Sequence, residues 1–434
     1  MAVMERRILG LSALAIAIPI ATFAVRDFVP PLRPQPAVSS GGTRYSPSPV
    51  PFRFSPLGGP VVGLPLITNV QIVDFTGDGQ NDVLAADALG NQILLLQRQP
   101  DDSWRESVLI PDVMAPAHLT VIDIDDDGDL DILVAILGNI MPDDGVIGRV
   151  ELFENRDGEF RRHVVLDDVR RVADVQCGDF DGDGHIDLAV AVFGYARGQV
   201  LWLHNVGGLE FREHELLNAP GAIHVPVGDF DADGDLDIVA IVTQDEEELW
   251  GFENQGDGTF VAKRLWMTLN LDLGGAGLVA ADLDGDGDLD LVLPAGDNLE
   301  DFDAYPQPYH GCYWFENRGN WDFHMRRIGD LGGTYAAAVG DLDGDGDQDV
   351  ALVSLTNDWL QPGNASIVWL ENDGMQNFTP WQIGSRPLHL VTVALGDLTG
   401  DGRLDIVAGS LNVRRPHRHV GRISAWFNEG SDSR

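Results

Sequence analysis

Residues 179–192 read DFDGDGHIDLAVAV, and this stretch decides the fold. Asp179, Asp181, Asp183 and Asp187 crowd four carboxylates into nine residues, and an unbroken apolar run follows at once. Aspartate is disfavoured in strands. Two like charges ~4 Å apart at an effective dielectric near 20 repel by about 4 kcal/mol. The acidic half therefore reads as a tight loop and the apolar half as a buried strand. The same nonapeptide, D-x-[DT]-x-D-G-x-x-D, begins at Asp74, Asp123, Asp179, Asp229, Asp282, Asp341 and Asp397, at intervals of 49 to 59 residues.

Each copy sits in the same surroundings. A β-like run such as TVIDI or VPVGD leads in, and runs such as ILVAI or IVAIV lead out. A variable loop then precedes a third run that ends in Asn, as in ELFEN, LWGFEN and IVWLEN, and a glycine turn opens a fourth run at Phe160, Phe211, Phe260, Phe323 or Phe378. Four short strands repeated about every 50 residues are the pattern of a propeller blade. The expected fold is all-β, a seven-bladed β-propeller with four antiparallel strands per blade over residues 51–430. The array ends at ISAWFNEG without a fourth strand, while a spare strand, Pro51-Phe52-Arg53-Phe54, precedes the first loop. That N-terminal strand is expected to close the last blade, leaving no exposed edge.

Oxygen ligands at positions 1, 3 and 5 with Gly at 6 are the chemistry of a calcium loop. An EF-hand also needs Glu at position 12, where this chain has Ala85, Val134, Val190, Ala240, Leu293, Leu352 and Ala408, so EF-hands are excluded. The closing carboxylate stands instead at position 9, and the 50-residue period excludes stacked nonapeptide calcium helices.

Acidic loops combined with the W-x-x-N turn resemble the FG-GAP/VCBS repeat family, the calcium-dependent propellers that include the integrin α-subunit head. The resemblance covers about 380 residues, closer to the VCBS variety, since Phe193-Gly194 is an isolated trace of the literal signature. It implies calcium held by side chains at positions 1, 3, 5 and 9 and by the position-7 carbonyl. Five complete sites follow: Asp123, Asp125, Asp127 and Asp131; Asp179, Asp181, Asp183 and Asp187, with the His185 carbonyl; Asp229, Asp231, Asp233 and Asp237; Asp282, Asp284, Asp286 and Asp290; Asp341, Asp343, Asp345 and Asp349. Two weaker sites, Asp74, Asp78 and Asp82 and Asp397, Asp401 and Asp405, have Thr76 and Thr399 at position 3.

Composition narrows the partners. Lys+Arg total 28 against 69 Asp+Glu, a net charge of -41, with Lys263 the only lysine. That excludes nucleic acid, whose phosphates need basic residues, and adsorption to anionic membranes. Cys177 and Cys312 fall in different blades and are expected as separate buried thiols. Arg6 and Arg7 precede an apolar run from Ile8 to Val25, which reads as a signal peptide or a retained N-terminal anchor over residues 1–25. Residues 26–50, rich in Pro and Ser, read as an extended linker. The chain is expected to be exported, monomeric, and outside the cell, in the periplasm or on the cell surface.

In such a blade the acidic loops share one face, and the loops between second and third strands share the other. Those loops, 138–148, 296–311, 356–364 and 412–421, do not repeat, and irregular loops on a regular scaffold are where binding resides. They carry Tyr305, Tyr309, Arg414, Arg415 and Arg418. Five residues before the loops, Asn69, His118, Asp174, His224, Gly277, Ala336 and Thr392 should ring the channel mouth, with His389 one turn outward. Tryptophans 202, 250, 314, 369 and 426 recur with the repeat and read as packing between blades. The function that follows is a binding module for a protein or glycan ligand. The alternative is an extracellular enzyme, such as one cleaving polysaccharide, with His118, Asp174 and His224 at the channel mouth. No nucleophile–base motif favours it.

Overall fold

The computed structural model describes residues 44–244, 246–270, 272–299 and 305–430. The apolar run read as signal or anchor, and the linker up to residue 43, lie outside the described residues. All regular structure among those described is strand, in seven sheets, antiparallel but for one short parallel strand at an edge.

The second strand of each blade is the most regular element. These strands are Asp82–Asp87, Asp131–Ile136, Asp187–Val192, Asp237–Val242, Asp290–Ala295, Asp349–Ser354 and Asp405–Ser410, and every residue of all seven is buried. Burial on both faces explains why they read as continuous apolar runs. Seven apolar clusters each join one blade to the next. One packs Val83, Ala85 and Leu94 of blade 1 against Val407, Ile423 and Ala425 of blade 7, so the ring is closed. Trp202 reaches Phe260 of the next blade at 5.6 Å, and Trp314 reaches Phe378 at 6.1 Å. Trp250 is half-buried: it packs on the cluster between blades 3 and 4, and its indole N–H donates to Glu248.

Phe52–Leu57 pairs antiparallel with Ile423–Asn428 over six residues, from Phe52 opposite Asn428 to Leu57 opposite Ile423, as the fourth strand of blade 7. The expected linker is shorter than residues 26–50. Ser46–Pro47 adds a parallel strand outside blade 6, the Trp369 indole donates to Ser48 Oγ at 2.9 Å, and Val50 is buried. This docking replaces solvated backbone with ladder hydrogen bonds.

The innermost strands include Pro116–Ile122, Val172–Gly178 and Ala222–His224. Six of the seven carry a register shift just before the residue five positions ahead of the acidic loop, as between Pro116 and His118 and between Val172 and Asp174. A bulge re-aims one side chain, and here it presents that residue to the central channel.

A chain starting at Arg44 should keep the melting temperature and monodispersity of the full chain. One starting at Gly58 leaves the Ile423–Asn428 edge open and should aggregate on gel filtration. Equal behaviour of the two would contradict strand closure.

Candidate functional site

Hydrogen bonds within each acidic loop fix its shape. The position-1 carboxylate accepts the backbone N–H of position 6 in every copy, for example Gly234 to Asp229 at 3.0 Å. The chain reverses at that glycine with φ between +81° and +100°, the left-handed region where a Cβ is strained.

The position-9 aspartate anchors the loop to the blade. In blades 2 to 7 its Oδ2 accepts the N–H of loop position 2, and its Oδ1 accepts the N–H of the Asn that ends the third strand. In blade 4 these bonds are Phe230 to Asp237 at 3.0 Å and Asn254 to Asp237 at 2.8 Å. The side chain of the same Asn reaches two loops. Asn254 Nδ2 donates to Leu236 O in its own blade at 3.0 Å and to Phe180 O in the preceding blade at 2.6 Å. Asn317, Asn372 and Asn428 repeat this bridge. The repeat had marked these asparagines as a turn, but it held no sign that they link blades. Each Phe that opens a fourth strand has a related duty: Phe260 packs edge-on against Phe180, position 2 of the previous loop, at 5.8 Å.

Burial pushes Asp237, Asp290 and Asp349 up to about 7, and Asp131 and Asp405 up to about 6, even though two backbone N–H groups on each pull the other way. Their folded values lie above the unfolded one. The native state then holds extra protons between roughly pH 4 and 7, and the cation-free contribution to stability falls as pH rises through that window.

Five loops draw potential ligand atoms within 4.8 Å of one another: Asp123, Asp125 and Asp127; Asp181, Asp183 and His204; Asp229, Asp231 and Asp237; Asp282, Asp284 and Asp290; Asp341, Asp343 and Asp349. In the last three, positions 1, 3 and 9 converge, while Asp233, Asp286 and Asp345 instead accept the N–H of position 7. In blade 3 an imidazole joins, with His204 Nε2 2.9 Å from Asp181 Oδ2. Oxygen-rich sets, with Asp179 and Asp231 each keeping a buried carboxylate oxygen that has no hydrogen-bond partner, fit a hard cation.

Blades 1 and 7 form no such cluster among the described residues. In blade 1, Thr76 donates its N–H and hydroxyl to Asp82 Oδ2 at 3.1 and 2.9 Å, so position 3 offers this carboxylate two neutral donors where the clustered loops have a carboxylate. In blade 7, Arg403 at position 7 pairs with Asp401 and donates from Nε to Asn428 O at 2.9 Å, so the loop carries its own cation. The position-3 threonines were legible in the sequence. The role of Arg403 was not, because position 7 was read only as a carbonyl.

On the opposite face the seven residues expected at the channel mouth all line one central cavity of about 930 Å³. His118 Nδ1 lies 3.0 Å from Asp174 Oδ1, and His224 Nδ1 lies 3.4 Å from Oδ2. Gln176 Nε2 and the Val225 N–H also donate to Asp174, each at 3.0 Å. Burial works to raise the Asp174 carboxyl, but the two imidazoles outweigh it and hold the group well below the usual carboxylate range. Arg414 joins the cavity wall, and Arg415 and Arg418 are exposed beyond it. Tyr305 is exposed.

Two of the residues expected to face a ligand are packed into the fold, His389 fully and Tyr309 in part. His389 is 1% exposed, with its ring nitrogens 3.0 Å from Leu355 O and 3.1 Å from Pro416 O, so it supports loops and faces no ligand. Tyr309 packs on the core of blades 4 and 5, beside His310. The thiols stay apart, Cys312 buried and Cys177 half-buried, and burial raises both, Cys177 to about 11.

A family model described as an FG-GAP-like repeat matches residues 74–134, 179–240, 229–293 and 352–408, together more than half of the chain. The chain belongs to the FG-GAP-like repeat family. Its fold is shared with crystal structures of BBS1N in complex with ARL6DN. The one soaked with lead is 10% identical, with a TM-score of 0.52 over 87% of this chain and 96% of that chain. The one soaked with mercury is 12% identical, with a TM-score of 0.55 over 88% and 98%. At these identities the likeness concerns the fold alone. No curated protein sequence matches the chain.

Two outcomes follow. Asn254→Ala removes a donor from the buried Phe180 O and the partly buried Leu236 O and should cost about 1–3 kcal/mol in chemical denaturation; an unchanged midpoint would contradict the inter-blade bridge. A divalent cation needs the ionised position-9 carboxylates, so calcium uptake should release protons at pH 6 and almost none at pH 8. Calorimetry in buffers of different ionisation enthalpy reads this directly, and buffer-independent heats at pH 6 would contradict it.

Proposed function

We propose that this FG-GAP propeller is an exported binding module, stabilised by calcium on one face and seating a protein partner on the other. The observation that carries the reading is the division of labour between the faces. One repeats a cation-fitting loop, and the other gathers the non-repeating loops around an open cavity. Calcium would neutralise the carboxylates of blades 2 to 6, which otherwise repel across a few ångströms. Extracellular modules are tuned to calcium near 10⁻⁴–10⁻³ M, which suits export by the N-terminal apolar run. BBS1N, a propeller of this fold, is described in complex with a protein, which supports a protein partner here. Arg415 and Arg418, exposed on a chain of net charge -41, favour an acidic patch on that partner.

Removing divalent ions with EDTA should lower the melting temperature, and millimolar calcium should restore it, as mass action on the native state requires. An unchanged melting temperature after verified metal removal would sink the calcium reading. Arg415→Ala with Arg418→Ala should weaken partner binding about tenfold or more and leave the calcium response unchanged. Partner affinity that responds only to changes in the acidic loops would place the interface on the other face.

A further inference from the structure

Arg171 immediately precedes the innermost strand of blade 3 and lines the central cavity. It is 8% exposed. Its guanidinium lies over the Phe193 ring, 5.5 Å from the centroid. Among the described residues it makes no ion pair, and its Nε has no hydrogen-bond partner. A guanidinium cannot shed its charge, and a buried charge without a partner is costly. Of the acidic residues the structure describes, none pairs with this cation, which lines the cavity.

Among the described residues, the carboxylates that share the cavity wall are engaged elsewhere or exposed. Asp174 is held between His118 and His224. Glu247 accepts the N–H of Gly274 at 2.6 Å and of Gly275 at 3.2 Å. Asp297 accepts the Leu299 N–H at 2.9 Å, and Asp272 is exposed. The basic side of the wall comprises Arg171, Arg414 and the two imidazoles. Ile140, Phe193, Leu299 and Leu411 supply apolar surface around them.

We propose that this cavity binds a small organic anion, its carboxylate in the fork of Arg171 and its body against the apolar wall. A planar guanidinium matches a planar carboxylate through two parallel hydrogen bonds. A single buried Arg suits a monoanion better than a polyphosphate, whose charge calls for several cations at close range. The volume suits a small-molecule site, which is typically mostly apolar with a few placed polar groups. The site stands independently of partner binding on the rim.

Isothermal titration of the full chain with benzoate, phenylacetate and glucuronate tests this, with benzamide as the uncharged control and inorganic phosphate as the competing oxyanion. At least one carboxylate should bind, and benzamide and phosphate should bind at least about tenfold more weakly. Arg171→Gln should weaken the carboxylate about tenfold or more, and Arg212→Gln on an outer strand should not. Should Arg171→Gln fail to fold, Arg171→Lys keeps the charge without the fork and should lose affinity severalfold. Uptake of none of the three carboxylates, tighter binding of phosphate, or full affinity in whichever Arg171 variant folds would overturn the proposal.

Discussion

The position-9 aspartate is the constraint on which the ring depends. In blade 4 it begins the second strand, is fully buried, and holds the loop through the Phe230 N–H and the third strand through the Asn254 N–H. The Asn it fixes then donates to the loop of the preceding blade. One carboxylate thus sets the loop geometry, the register of two strands and the junction between blades. The cost is a charge out of water, visible in the raised proton affinity of Asp237, Asp290 and Asp349. Backbone donors offset part of that cost, and a cation at positions 1, 3 and 9 would offset the rest.

The blades that lack an acidic cluster show the same requirement met differently. Thr76 supplies two neutral donors to Asp82, and Arg403 brings a guanidinium to Asp401. These are the blades at the closing seam. Asn81 donates to Asp397 O across it at 2.8 Å, Arg98 to Thr399 O at 3.0 Å, and Arg422 pairs with Asp87 and Glu106 of blade 1. Protein groups fill the two loops where the chain ends meet, and the ring closes there on direct hydrogen bonds and ion pairs.

The blade count, the strand order and the closing strand were legible because each is written seven times or completes a repeat at its end. The channel residues were legible for the same reason, since a fixed offset from the loop fixes a place on the innermost strand. What the repeat could not show is tertiary. His389 and Tyr309 sit on irregular loops whose burial depends on neighbours far away in sequence. Arg171 lies outside the repeated motifs, and only the fold shows that Arg170 pairs with Asp144 while Arg171, with no ion pair among the described residues, lines the cavity. The docking of Ser46–Pro47 on blade 6 was hidden because proline-rich sequence reads as linker whether or not an edge strand waits for it.

The proposal that the acidic loops hold calcium is tested most directly by native mass spectrometry of the purified chain across a calcium titration. The convergent loops of blades 2 to 6 predict five ions bound per chain, falling to four when Asp284 and Asp290 are both replaced by Asn. Absence of specific calcium binding, or seven equivalent ions filling blades 1 and 7 as readily as the rest, would contradict it.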